Sequence, residues 1–309
     1  MTNLTLPIFT DTEKARVHLE GLLWPSGPVC PHCGVLGENT LVKGKSHRPG
    51  MYMCNACRQP FSVTVGTIME KSHIPLNKWV LGFHLMASSK KGISAHQLHR
   101  QLGITYKAAW FMAHRIREAM TPVAGSEPPL GGEGQVVEAD ETELARSRKT
   151  RVKGRRDRMQ NKRFVSLVER GGNVRSKVID GGHGMREVRK AVRENVDPAS
   201  TLHTDGAKGY GYLMPIGHHE AVDHDKAFAR KGKRHTVHCN TAEGYFSLFK
   251  RGLVGTYHHI EEQHLPRYLA EFDFRMNNRV ALGVDDKERA NRAIKGAEGK
   301  RLTYHTVSG

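Results

Sequence analysis

Three carboxylates stand where a basic chain would not be expected to place them. Asp140 lies in VVEADETEL, residues 136–144, Asp205 ends the run TLHTD, and Glu243 lies in NTAEGYFSLFKRGL. The chain as a whole has 48 Lys and Arg against 31 Asp and Glu, a formal net charge of +17. Carboxylates on separate elements are what hard, oxygen-preferring divalent cations require. Two such ions ~3.5–4 Å apart can activate an attacking oxygen and stabilise a leaving one in phosphodiester displacement. Lys250 follows Glu243 by seven residues, nearly two helical turns, so both would line one helix edge and the amine would meet a nearby phosphate. Glu138, Glu141 and Glu143 read as solvated surface acids.

These side chains need elements to hold them. QVVEADET, KRFVSLVER, NVRSKVID and STLHTDG read as strands, and MREVRKAVREN as a helix before the last of them. Together they describe a mixed α/β sheet. Alternation in VVEAD puts Val136, Glu138 and Asp140 on one face and Val137 and Ala139 on the other, with Asp140 expected at the strand's end. Asp205, followed by Gly206, is expected at a second strand terminus. Ala242, Tyr245, Phe246, Phe249 and Leu253 recur at i, i+3, i+4, i+7 and i+11, the stripe of a buried amphipathic helix.

A second metal chemistry is written near the N-terminus. Cys30 and Cys33 in CPHC, and Cys54 and Cys57 in CNAC, are two CxxC pairs with twenty residues between them. This is the spacing of a structural four-thiolate zinc site, whose filled tetrahedron leaves no open catalytic position. His32 is therefore expected at the surface, and Cys239 as a small packed side chain. Farther on, KKGISAHQLHRQLGITYKAAWFMAHRIREAM reads as two helices around a turn at Gly103, with Ser94 and Thr105 as their caps. Leu98 and Leu102 would face inward on the first. On the second, Ala108, Phe111, Met112 and Ile116 would face inward, leaving Tyr106, Lys107, His114, Arg115 and Arg117 largely outside. This is the pattern of a helix-turn-helix that presents its second helix to a DNA groove.

The excess of cations favours a polyanionic partner, with nucleic acid first. No apolar run approaches the ~20 residues of a membrane span, and MTNLTLPIFTDTEK does not read as a secretory signal. The expectation is a cytoplasmic, nucleoid-associated protein. Residues 146–163 hold ten Lys or Arg and one acid, Asp157; this run is expected to be a mobile arm between the first two strands that contacts phosphates. KAFARKGKRHTVH, just before Glu243, is a second basic segment of the same kind. Of the paired histidines at 218–219 and 258–259, His258 is the candidate for an auxiliary active-site group.

The ordered series CPHC, CNACRQPFSVTVGTIME, VEADET, HTDG, NTAEGYFSLFKRGLVGTYHH and HLPRYLAEFDFRMNNR resembles the bacterial insertion-sequence transposases that carry an N-terminal zinc ribbon and a ribonuclease-H-like DDE domain. The resemblance runs from about residue 10 to GKRLTY near the C-terminus. It implies a catalytic triad of Asp140, Asp205 and Glu243 holding Mg2+ or Mn2+, Lys250 as the basic residue seven places after the last acid, and structural Zn2+ on the four cysteines. The chain departs from the family after Asp140: it reads DETELARSRK where similar proteins continue with an aromatic and a glycine pair.

The resulting expectation is an α/β, ribonuclease-H-like mixed sheet with flanking helices, preceded by a small zinc ribbon and a helix-turn-helix. Its segments are residues 1–70 (N-terminal helix and ribbon), 71–122 (helix-turn-helix), 130–280 (catalytic) and 281–309 (tail). The first modules would bind element ends in double-stranded DNA. The sheet domain would cleave a strand and join the freed 3′-hydroxyl to target DNA, with Asp140 bridging two ions and Asp205 and Glu243 holding one each. Joining two ends implies a dimer or larger assembly. The competing readings are a zinc-ribbon regulator that binds DNA without cutting it, and a nuclease that cuts without joining.

Overall fold

The computed structural model describes residues 3–44, 47–144, 162–179, 184–205, 216–223, 227–232 and 235–303. The basic run 146–163 falls almost wholly outside these residues, as does part of KAFARKGKRHTVH. The chain forms two compact units, residues 1–122 with 278–309, and residues 123–277. Among the described residues no helix is long and apolar enough to cross a membrane.

The first unit opens with α1 (Pro7–Thr10) and α2 (Thr12–Leu23). Asp11 caps α2 by accepting from the amides of Glu13 and Lys14 at 2.7 and 3.0 Å, the role that a short carboxylate serves at a helix start. A three-stranded antiparallel sheet follows, β1 (Asn39–Leu41), β2 (Tyr52–Cys54) and β3 (Pro60–Phe61). Helix α3 (Leu76–Ser88) is apolar on most of its surface and buries Trp79, Phe83 and Met86.

Helices α4 (Ala95–Leu102) and α5 (Tyr106–Met120) are joined at Gly103, whose φ of 58° is the left-handed conformation that glycine adopts without strain. Ser94 accepts from the amide of Gln97 and Thr105 from that of Ala108, so both caps sit where the sequence placed them. The outward face of α5 differs from expectation. Tyr106 and Lys107 are exposed, but His114, Arg115 and Arg117 are buried. Arg115 lies over the Phe111 ring and donates to the carbonyls of Glu70 and Leu302. The reason is a surface that the local periodicity of α5 cannot reveal, brought from elsewhere in the chain.

The second unit carries a five-stranded mixed sheet. Its strands are β4 (Val136–Leu144), β5 (Lys162–Glu169), β6 (Val174–Ile179), β7 (Thr201–Thr204) and β8 (His218–Ala221), with α6 (Gly184–Asn195) between β6 and β7. In space the order is β6-β5-β4-β7-β8; β4, β5 and β6 pair antiparallel, and β4, β7 and β8 parallel. A small ribbon, β9 (Arg230–Lys231) with β10 (Thr236–Val237), leads into α7 (Asn240–Gly252), and α8 (Leu265–Asn277) closes the unit.

Strand alternation divides the core of this unit. Val137, Ala139, Val165 and Leu167 pack with Val188, Ala191 and Val192 of α6. Phe164, Val168 and Val174 pack with Tyr245, Phe246 and Phe249 of α7 and with Leu265, Leu269 and Phe272 of α8. The apolar stripe read in α7 is its buried face.

The chain then rejoins the first unit. Residues 281–309, read as a tail, include α9 (Asp286–Lys295), which packs on α2, α3 and α5. Leu302, beyond α9, accepts from Arg115, so this returning segment supplies part of the surface on which α5 packs.

Candidate active site

Asp140 was expected at a strand end, but β4 continues four residues beyond it to Leu144. The extension is stabilised by β5, which pairs with β4 through Leu144↔Lys162, whereas β7 stops at Thr204. Asp140 therefore lies in mid-strand on one side and at the limit of parallel pairing on the other. The register matches Glu138 with His203, so two residues farther along Asp140 comes alongside Asp205, one position past β7. Neighbouring strands in a sheet lie about 4.8 Å apart. Glu243 comes from the first turn of α7, which packs on β4 and β5.

The charges of all three acids act on the buried Cys239. Burial pushes its thiol well up, and the charges of Asp140, Glu138, Asp205 and Glu243 push it further. Asp140 and Asp205 are half-buried, while Glu243 and Lys250 are exposed on α7. Two half-buried carboxylates with a third at the surface form an oxygen donor set suited to hard cations. They do not close on a single point: among the described residues, the four cysteines are the only group of three or more His, Cys, Asp or Glu whose ligand atoms converge closely enough for one ion. His258 is exposed at the end of a π-helical turn, Leu253–Tyr257, with φ of 59°.

Glu138 corrects the reading of a solvated acid. Its side chain is 0% exposed and accepts five hydrogen-bonding or ionic contacts. Oε2 accepts from the amides of Thr241 and Ala242 at 2.8 and 3.0 Å. Oε1 accepts from Thr241 Oγ1 at 2.9 Å and Arg170 Nε at 2.6 Å, with His238 Nδ1 at 3.1 Å. Cys239, at the N-cap of α7, supplies no side-chain cap, so a carboxylate from β4 satisfies the free amides and complements the helix dipole. Arg170 also donates to the carbonyls of Thr236 and His238 and to His203 Nδ1, at 2.9, 3.0 and 3.0 Å.

His203 is buried, and burial together with the adjacent Arg170 holds it down to about 4. Because a guanidinium only donates, Nδ1 of this neutral ring is the acceptor and Nε2 carries the proton. Glu141 is half-buried, and burial raises its pKa, aided by Asp205 and Glu143 and opposed by Arg163. Glu143 is exposed and ion-paired with Arg163.

In the first unit the four cysteine sulfurs lie within 4.8 Å of one another. Cys30 and Cys57 are 3.6 Å apart, as are Cys33 and Cys54. Zinc–sulfur bonds of about 2.3 Å in a tetrahedron place sulfurs about 3.8 Å apart, so the geometry fits zinc. The two knuckles repeat one backbone design: Gly34 and Arg58, each following a second cysteine, have φ of 76° and 59°, and their amides donate to the carbonyls of Cys30 and Cys54. The backbone N–H of Cys57 holds the Cys54 thiol down to about 7. Trp24, Tyr52 and Phe61 pack beneath with ring centroids 5.6–5.8 Å apart. His32 is exposed, as expected.

The ISXO2-like transposase domain matches residues 129–277, and the transposase zinc-ribbon domain matches residues 10–60. The chain thus carries a transposase domain and a transposase zinc ribbon of insertion-sequence type. The first match coincides closely with the second compact unit, and the second spans all four cysteines. The chain is also similar to an uncharacterized protein in transposable element ISH50 of Halobacterium salinarum, 26% identical over 297 residues, covering 88% of this chain and 93% of that one. A shorter similarity, 27% identity over 170 residues, links it to male abnormal protein mab-31 of Caenorhabditis elegans, covering 49% of this chain and 39% of that protein.

Proposed function

We propose that this chain is a DDE transposase that binds the ends of an insertion sequence, cleaves a DNA strand and transfers the 3′ end to target DNA. The observation that carries the reading is the register that brings Asp140 alongside Asp205, with Glu243 in the first turn of a helix packed on the same sheet, within a transposase-family domain. The strand order, with an antiparallel hairpin beside two parallel strands, supports a ribonuclease-H-like sheet.

Asp140, Asp205 and Glu243 would hold Mg2+ or Mn2+, which when bound supplies charge for activating water or a 3′-hydroxyl and for stabilising the leaving oxygen. Lys250, exposed two turns after Glu243, would bind a phosphate of the strand and position it against the acids. Burial of Cys239 beneath the acids removes its thiol from the reaction. In the first unit the exposed start of α5, with Tyr106 and Lys107, supports a helix-turn-helix that presents its N-terminal turn to DNA. The four cysteines would hold structural Zn2+ and fix the ribbon. On this reading the ribbon (1–70) and helix-turn-helix (71–122) recognise ends, and 130–280 is catalytic. A dimer or larger assembly brings two ends together, at the nucleoid in the cytoplasm.

The test incubates the protein with DNA carrying the flanks of its own gene, with Mg2+ or EDTA, beside Asp205→Asn. Joined products that require both Mg2+ and Asp205 support the reading. Cleavage without joining would indicate a nuclease, and metal-independent binding without cleavage a regulator; either outcome overturns it.

A further inference from the structure

We infer that the buried Glu138–Arg170 pair is a positioning hub that sets the relative placement of all three candidate metal-binding acids. The inference rests on the functional reading above. Each acid lies one or two residues from a group bound in this hub. Asp140 is two residues beyond Glu138 on β4. Asp205 is two residues beyond His203, whose Nδ1 accepts from Arg170 at 3.0 Å. Glu243 follows Thr241 and Ala242, whose amides donate to Glu138 at 2.8 and 3.0 Å. Arg170 completes the fixation by holding the carbonyls of Thr236 and His238, the approach to α7.

The three segments come from distant parts of the chain, 103 residues separating Glu138 from Thr241 and 33 separating Arg170 from His203. β4 and β7 pair directly, and the start of α7 is tied to β4 through the Glu138 carboxylate. Apolar packing holds α7 through Ala242, Tyr245, Phe246 and Phe249, and the amides of Thr241 and Ala242 add a polar anchor at its first turn by donating to Glu138. Glu138 touches neither substrate nor metal, since its whole carboxylate is engaged with protein donors. It is a positioning residue, in the way that groups behind metal ligands orient them.

The test compares Glu138→Gln and Arg170→Lys with Val188→Ala, which opens a cavity in the α6 side of the core away from the hub. Glutamine keeps the shape of Glu138 but turns an NH2 toward donors; lysine keeps the charge of Arg170 but loses its fork. Three readouts are taken below the melting temperature: amide exchange at Thr241 and Ala242 in metal-free protein, Mn2+ affinity by electron paramagnetic resonance, and cleavage rate against Mg2+ concentration. The inference predicts faster exchange and Mn2+ affinity weakened about 10- to 100-fold in both hub variants, with a raised Mg2+ midpoint for cleavage. Val188→Ala should lower the melting temperature and leave Mn2+ affinity and the midpoint unchanged. If the hub variants shift these no more than Val188→Ala, or lose activity only in proportion to unfolded protein, the hub is structural and the inference is overturned. If the wild type neither binds Mn2+ nor cleaves, the functional reading itself fails and the inference falls with it.

Discussion

Glu138 and Arg170 meet at 2.6 Å in the interior of the sheet domain, with the Glu138 side chain 0% exposed and that of Arg170 22% exposed. Such a pair is not a large source of net stability, because desolvating two charges offsets most of their attraction. Its importance is conditional: without Arg170 the Glu138 carboxylate stays wholly buried without its counter-ion, and without Glu138 the half-buried guanidinium loses its countercharge.

Truncation of Glu138 should therefore be costly in stability as well as in placement. Glu138→Ala is expected to destabilise the protein by about 3–5 kcal/mol, because it strands Arg170 and uncaps α7. Urea unfolding of Glu138→Ala, Arg170→Ala and the double variant checks this, the double costing clearly less than the sum of the singles.

Zinc should be bound at one ion per chain and be integral to the ribbon, since the four sulfurs already sit at near-tetrahedral separations. Replacing Cys54 with Ser is expected to abolish zinc retention, measured by metal analysis after dialysis, and to unfold residues around the ribbon. Arg58→Gly should instead be stabilising by about 1 kcal/mol, because a non-glycine residue at φ 59° carries that strain.

The α5 helix separates two kinds of basic residue. Lys107→Ala is expected to weaken DNA binding and to reduce the salt slope of log K by about 1. Arg115→Ala should instead destabilise the first unit, because the guanidinium ties α5 to the carbonyls of Glu70 and Leu302. Fluorescence titration at several salt concentrations, beside thermal melts, distinguishes the two effects.

Asp273 gives the sheet domain a pH dependence of known sign. Burial pushes its carboxyl up to about 6, against hydrogen bonds from Tyr245 and Ser176 that favour the charged form. With the folded value above the unfolded value, the native state binds the proton more tightly. The contribution of Asp273 to stability is thus greatest below about pH 4 and falls as pH rises to about 6, by roughly 3 kcal/mol. The stability difference between wild type and Asp273→Asn, followed by denaturant unfolding across that range, should shrink with this slope.

Where spacing and periodicity carry the information, the sequence was legible. The CxxC pairs, the alternation in VVEAD, the caps at Ser94 and Thr105 and the stripe of α7 depend on residues within a few turns or one strand. Glu138 was not recognised because its partners arrive from β5, β10 and α7; the available signal was an acid flanked by Val136, Val137 and Ala139 on the face shared with Asp140. The burial of His114, Arg115 and Arg117 is illegible for the same reason, since α5 packs against distant segments: Arg115 donates to Glu70 and Leu302, and α9 packs on the same helix. β8, with sequence HHEA, lacks alternation and is a strand only because β7 pairs with it.

The most direct measurement is the anomalous diffraction of crystals grown with Mn2+, because it locates the cation without assuming any substrate. A manganese peak bounded by Asp140, Asp205 and Glu243, and lost in Asp205→Asn, is the expected result. A map with no peak there at saturating Mn2+, or with manganese held by other residues alone, would contradict it.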